Sequence, residues 1–258
     1  MIQSVHRISQ ILHLFRNATS LSLAQIAEQT GLAKTTVHGL VSSLREEGFL
    51  EQDPDTKRYS LGLSVFELAS YYHARKDLRA IAIPFINDLA RRLGMTIQLA
   101  ILDKHEVVYL YKMTTADFLT FSISAGLRMP FHCTATGKAI AAFSSEDEKR
   151  HLLSYPLTPK TPFSLASSET LEAVLRKVRE HGYALDLGES EVGLGGLAVP
   201  LFDERHEVVG ALGVSFLSDL YTEAFLKNIL LPLQESASLI SRKLGCPPHH
   251  LFTYYSVL

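Results

Sequence analysis

The stretch that most constrains this chain runs from Ser22 to Arg45, SLAQIAEQTGLAKTTVHGLVSSLR. It predicts two helices joined by a tight turn. Ser22 and Gln25 form a capping-box pair, able to satisfy free backbone N–H groups at a helix start. Leu23, Ile26 and Ala27 give the first helix one apolar face, and Gly31 supplies the left-handed residue that ends it. Leu32 docks inward and the second helix begins at Ala33. There Val37, Leu40, Val41 and Leu44 recur at helical spacing as one buried stripe. The opposite face carries Lys34, Thr35, His38, Ser42 and Arg45, while Thr35 and Thr36 lie near the helix N-terminus, where phosphates dock. A polar helix held over a shorter one by a glycine turn has the geometry of a helix-turn-helix reader. An ordinary helical hairpin in a core is the alternative.

Residues 48–61 favour the reader. Gly48–Gln52 and Lys57–Leu61 read as strands around the turn Asp53-Pro54-Asp55. A hairpin with Lys57 and Arg58 near its tip, placed after a polar helix, predicts a winged helix whose wing touches phosphate. Gln25, Lys34, Thr35, Thr36, His38, Ser42, Arg45, Lys57 and Arg58 are the candidate contacts to double-stranded DNA. Charge does not help this reading. The chain carries a net charge of -2, and through Gly62 six cations meet six carboxylates. Affinity must come from local placement, helix N-termini and dimerisation.

The 258 residues allow two ordinary domains. No apolar run approaches the ~20 residues of a membrane span, and the N-terminus lacks a signal-peptide core. The two cysteines, Cys133 and Cys246, make neither a disulfide framework nor a zinc pattern. A reducing cytoplasm is expected, with no cofactor. Residues 2–15 predict an amphipathic helix with Val5, Ile8, Leu12 and Phe15 on one face. A linker helix comes after the wing, with Val65, Leu68, Ala69 and Tyr72 inward. Beyond Asp77, hairpins and long helices alternate irregularly: helix 78–93 with a kink or restart at Pro84, strands at 96–102, 107–111 and 118–124, helices at 135–143 and 145–153. A Pro-rich loop, helix 169–181, strands at 183–186, 197–202 and 208–216, and a closing helix 221–244 complete it. That pattern predicts an α+β domain with a mainly antiparallel sheet. The expected division is 1–63 winged helix, 64–77 linker helix, and 78–258 effector-binding and oligomerisation.

AQIAEQTGLAKTTVHGLVSSLREEGFL with RYSLGLS, then MPFHCTATGKAIAAF, then REHGYALDLGESEVGLGGLAVPLFD and VVGALGVSF, resemble the IclR family of bacterial transcription regulators. The resemblance spans nearly the whole chain. It implies a winged helix joined by a helix to a GAF-like domain, in a homodimer or homotetramer. Such regulators bind a small organic or aromatic acid and repress or activate nearby genes. The resemblance places the effector among the N–H groups of Ala135 and Thr136, the acidic Asp186, and Gly196, Gly213 and Ser215 on strands. Phe121 and Met129 would supply apolar wall. Gly196 and Gly213 stand where family members often carry Cys and Ser. Their exchange for glycine predicts a wider pocket and a ligand bulkier or less polar than a two-carbon acid. Gly39 stands where the family often has Arg.

Other chemistry finds little support. Gly193-Leu194-Gly195-Gly196 lacks the Lys-Ser/Thr of a phosphate loop. Cys133 and His132, adjacent on an expected strand, point apart. No G-x-S-x-G or H-E-x-x-H pattern occurs. An enzyme or sensor built on the second domain, and a constitutive DNA-binding protein without effector, are the alternatives to a ligand-responsive regulator. Tyr71-Tyr72 read as interface or core, and His249-His250 as a solvated tail.

Overall fold

A computed structural model describes residues 2–16, 18–72, 78–115 and 125–249, side chains of 69–72 excepted. The chain divides into two compact units, Met1–Asp77 and Leu78–Leu258. The expected strand 118–124, with Phe121, and the end of the expected linker helix lie outside the described residues, as do the Tyr71 and Tyr72 side chains.

In the first unit, α1 (Gln3–Leu14), α2 (Leu23–Thr30) and α3 (Lys34–Glu46) precede a hairpin of β1 (Leu50–Gln52) and β2 (Tyr59–Leu61), succeeded by α4 (Leu63–Tyr72). The capping box forms: the Ser22 N–H donates to Gln25 Oε1 at 2.9 Å and the Gln25 N–H to Ser22 Oγ at 3.3 Å. Gly31, at φ 68°, turns α2 into α3. Ile11, Ile26, Val37, Val41, Leu44, Leu50 and Tyr59 then close one core. Tyr59 pairs with Leu21, which ties the wing to the helices. Two expectations change. Val5 is exposed, so Ile11 sets the buried face of α1, with Phe15 buried just past its end. Leu68 is exposed as well, beside Leu63 and Phe66.

The second unit runs α5 (Leu78–Leu93), β3 (Thr96–Asp103), β4 (Glu106–Met113), β5 (Arg128–Pro130), α6 (Ala135–Phe143), α7 (Glu146–Leu153) and α8 (Ser168–His181). Then come β6 (Ala184–Leu187), β7 (Leu194–Phe202), β8 (Val208–Leu217) and α9 (Glu223–Lys243). Among the described residues its sheet has six strands, in the order β5-β4-β3-β8-β7-β6, all paired antiparallel. The architecture is α+β.

Pro84 does not restart α5, which continues unbroken through it. A proline costs a helix interior about 3 kcal/mol. Ala82, Ile86, Leu89 and Ala90 are all fully buried against the sheet, and four such contacts outweigh that loss. The edge strand β5 was not expected; at three residues ending in proline, it carries too little alternation to read.

Strand alternation sorts the sheet into two unlike faces. Ile97, Leu99, Leu197, Val199, Leu212, Val214 and Phe216 pack with α5 and α9 into one core. On the reverse, the register sets Thr96, Ser215, Gly196 and Asp186 in one row and Gln98, Gly213, Ala198 and Ala184 in the next. α6 lies over this second face, with α8 behind it.

Candidate functional site

Each unit offers one polar surface. In the first, the side chains of Lys34, Thr35, His38 and Arg45 are exposed along α3, flanked by half-buried Thr36 and Ser42. Ala33 supplies no side-chain cap, so the first N–H groups of α3 face outward as an anion receptor. Gly39 sits mid-face, and a Cβ added there would meet no atom within 4 Å. Arg45 is also a strut: its Nη1 donates to Gln52 Oε1 at 3.2 Å, and Gln52 Nε2 donates to the Lys57 carbonyl at 3.0 Å. The wing tip is organised by Asp53, whose Oδ1 accepts from the Thr56 N–H at 2.7 Å and the Asp55 N–H at 3.0 Å. Those bonds hold its carboxyl below the ordinary range.

The candidate contacts are not equal. Lys57 is exposed at a positive φ of 56°. Arg58 turns back instead, its Nε donating to Ser20 Oγ at 2.9 Å and Nη2 to the Ser20 carbonyl at 2.8 Å. It anchors the base of the wing, and that engagement competes with a phosphate grip. The Gln25 side chain is similarly occupied by the capping box.

In the second unit the site is built on the start of α6. Thr134 caps it, its Oγ1 accepting from the Gly137 N–H at 3.0 Å. That leaves the N–H groups of Ala135 and Thr136, the first two of the helix, with no carbonyl of their own helix to meet. Both residues are buried. Thr136 Oγ1 lies 3.5 Å from the Tyr109 hydroxyl, which burial pushes up to a pKa of about 12. A buried, neutral hydroxyl beside a helix start is suited to carboxylate recognition.

The two glycines do not widen this site. A Cβ at Gly213 would stand 2.8 Å from Thr136 Cγ2, and one at Gly196 3.3 Å from Ala135 Cβ. The space that side chains would fill is occupied by α6, which glycine admits closer to the sheet. Around them stand polar groups. Gln98 Nε2 donates to Ser215 Oγ at 3.1 Å, and Thr96 lies one row away. Asp186 is buried but binds its own loop, its Oδ1 accepting from the Glu189 N–H at 2.7 Å and its Oδ2 from the Ser190 hydroxyl at 2.6 Å. Burial raises its carboxyl above the ordinary range, against the Ser190 bond and the Lys138 charge that lower it.

Beneath Asp186, the fully buried Lys138 ammonium pairs with Glu189. Burial raises the Glu189 carboxyl, and Lys138 pulls it down. The Pro-rich loop closes over this pair: Thr161 Oγ1 donates to the Gly188 carbonyl at 2.7 Å and Ser164 Oγ to the Glu189 carbonyl at 2.6 Å. Met129, on β5, packs half-buried against the Tyr109 and Ala135 cluster. His132 and Cys133 share one 3₁₀ turn, not a strand. The His132 ring Nε2 donates to the Thr158 carbonyl at 3.3 Å, so it pins the Pro-rich loop.

Sequence reasoning missed Gln98, Tyr109, Lys138 and Glu189. A signal existed for Gln98. In TIQLAIL, Thr96 and Gln98 alternate with Ile97, Leu99 and Ile101, and polar residues on alternate positions of a central strand need polar company.

Two family models match the chain. One, described as bacterial transcriptional regulator IclR C-terminal, covers residues 70–242 and the other, the IclR helix-turn-helix domain, residues 4–54. The chain is 38% identical over 249 residues to the HTH-type transcriptional regulator XynR of Escherichia coli K12, covering 96% of this chain and 99% of that protein. The crystal structure of the Thermotoga maritima IclR superposes with a TM-score of 0.78 at 31% identity, over 95% of this chain and 100% of that one. An IclR homologue from Microbacterium hydrocarbonoxydans, complexed with 4-hydroxybenzoate, shares the fold with a TM-score of 0.84 at 24% identity, over 94% of this chain and 99% of that one. With a reading helix in one unit and a buried polar helix start in the other, the chain belongs to the IclR family: a transcription regulator with a helix-turn-helix DNA-binding domain and an effector-binding C-terminal domain.

Proposed function

We propose that this regulator binds a roughly palindromic operator as a homodimer or homotetramer in the cytoplasm, and that a small organic acid seated on α6 shifts its affinity for that DNA. α3 would enter the major groove through Lys34, Thr35, His38 and Arg45, with Lys57 of the wing on phosphate. In a dimer the two reading helices would sit about 34–36 Å apart, in successive major grooves. The carboxylate of the effector would accept from the Ala135 and Thr136 N–H groups, with Ser215 and Asp186 on either side of Gly196. Binding, not turnover, is the proposed work of this pocket, in keeping with relatives that are named transcription regulators.

The observation that carries the reading is the buried start of α6, where Ala135 and Thr136 pack against Gly196 and Gly213 of the sheet. The effector regulates DNA only to the extent that it binds two arrangements of the protein unequally. Affinity for DNA from the protein's own upstream region, measured at two salt concentrations with and without a panel of carboxylic acids, tests this. Specific binding changed by one class of acid is the expected result. No preference over random duplex, or no acid that alters it, would overturn the reading.

A further inference from the structure

A cleft at the tip of the β3–β4 hairpin lies apart from the start of α6. His105, Pro130, Phe131, Tyr155, Pro156 and Thr158 line a space of about 150 Å³, and Glu106 and His132 complete its wall. Neither Ala135 nor Thr136 lines it. Glu106 pairs with Asp103 on one side and Pro130 on the other. The row that holds Thr96 and Ser215 lies at the opposite end of β3, about 23 Å of strand away.

The walls are aromatic and flat. The His105 and Tyr155 rings stack with their centroids 4.3 Å apart and an interplanar angle of 25°. Phe131 stands edge-on to His132 at 5.7 Å, and the two prolines add apolar surface. A space of about 150 Å³ is the room that one benzene ring takes.

The polar groups of the wall favour a donor over an acceptor. Arg128 Nε donates to Glu106 Oε2 at 2.7 Å, and Glu106 Oε1 makes no hydrogen bond among the described residues. The same guanidinium also pairs with Asp103. Two carboxylates thus share one cation, and the cluster keeps a negative charge. Lys104 is exposed at the hairpin tip, where water and salt screen it. His132 Nε2 donates to the Thr158 carbonyl at 3.3 Å, and burial keeps the ring neutral by holding its pKa below 6.5. Its Nδ1 is therefore an acceptor. The Tyr155 hydroxyl is engaged with His151 Nε2 at 3.3 Å. The His105 ring and the Thr158 hydroxyl remain as donors, and no lysine or arginine lines the cleft among the described residues. A carboxylate finds no fixed cation here. An ammonium finds a free carboxylate oxygen and an aromatic face.

We propose that this cleft is a second ligand site, which takes a one-ring aromatic amine as its ammonium ion, the ring against Tyr155 and the charge on Glu106 Oε1. It stands whether or not an acid binds at α6. The two places are joined by a short piece of chain: the Phe131 carbonyl accepts from the Thr134 N–H at 3.4 Å, and Thr134 caps α6. A ligand packed on Phe131 thus bears on the segment that positions Ala135 and Thr136.

Ligand-observed NMR titrations of the full-length protein with three probes test the proposal. Benzylammonium carries both features, benzyl alcohol keeps the ring without the charge, and butylammonium keeps the charge without the ring. Benzylammonium is expected to bind at least about fivefold more tightly than either. Glu106→Gln should lower its affinity towards that of benzyl alcohol, and Tyr155→Leu towards that of butylammonium. No binding of benzylammonium, equal affinity for the three probes, or an affinity that neither substitution lowers would overturn the proposal. Should one variant not fold, the other and the comparison of probes on the unaltered chain decide.

Discussion

On one side of the six-stranded sheet stand Ile97, Leu99, Leu197, Val199, Leu212 and Val214; on the other, along the same strands, stand Thr96, Gln98, Ser215, Gly213, Gly196 and Asp186. The first side meets α5 and α9 through large apolar side chains, and its contribution is burial. The second meets α6 through glycine, alanine and polar groups, so the helix start comes close to the strands and its N–H groups are enclosed. One set of strands thus carries a stabilising face and a recognising face, and alternation alone separates them. Substitutions on the first should cost stability and leave ligand preference alone. Those on the second should disturb recognition first, with the buried ion pair as the exception where both are at stake.

That exception gives the largest expected effect. Glu189→Gln would leave the fully buried Lys138 ammonium without its partner. A charge stranded in this way costs about 3–5 kcal/mol. Denaturant unfolding should show that loss, and the double variant Lys138→Met with Glu189→Leu should recover most of it. A single variant as stable as the parent would mean that the pair is solvated.

On the apolar face, Leu99→Ala removes a side chain with no exposed surface, and about 2–5 kcal/mol should be lost. The ranking of acids by affinity should not change. On the polar face, Gly213→Ala places a Cβ 2.8 Å from Thr136 Cγ2 and costs about 1–3 kcal/mol through overpacking. Here the response to acids should weaken far more than in Leu99→Ala, although the stability loss is smaller. Reversed sensitivities would break the division of labour.

The smallest effect concerns pH. Burial holds the His132 imidazole below its ordinary 6.5, with the Lys138 charge adding to it and the Thr158 bond opposing it. The folded protein therefore keeps the ring neutral where the unfolded chain protonates it. Stability from this group is whole above pH 6.5 and falls as the pH drops towards the folded-state value, by at most about 1.4 kcal/mol per pH unit. His132→Gln, which retains a donor for the Thr158 carbonyl, should flatten that part of the curve. Thermal melts between neutral and mildly acidic pH measure it.

Much of this was legible from residues. The reader pair, the wing and the cap at Ser22 rest on local rules, and local rules survive folding. So did the start of α6, because a helix N-terminus depends on few neighbours. What failed depended on tertiary context. Pro84 reads as a break until the burial of Ile86 and Leu89 is known. Glycines at Gly196 and Gly213 read as empty space, whereas α6 fills it. The two bonds that Arg58 donates to Ser20, far away in sequence, could not be read from local pattern at all. The polar partners of the site, Gln98 and Glu189, come from segments that only the sheet register brings to the same helix.

Amide hydrogen exchange of the full-length protein, with and without a carboxylic acid that changes its affinity for DNA, would test the two-faced sheet most directly. Slowed exchange confined to the first turn of α6 and to the segments around Gln98, Ser215 and Asp186, with α5 and α9 unchanged, is the expected result. Protection centred on α5 and α9 instead would contradict it, because the ligand would then lie against the apolar face.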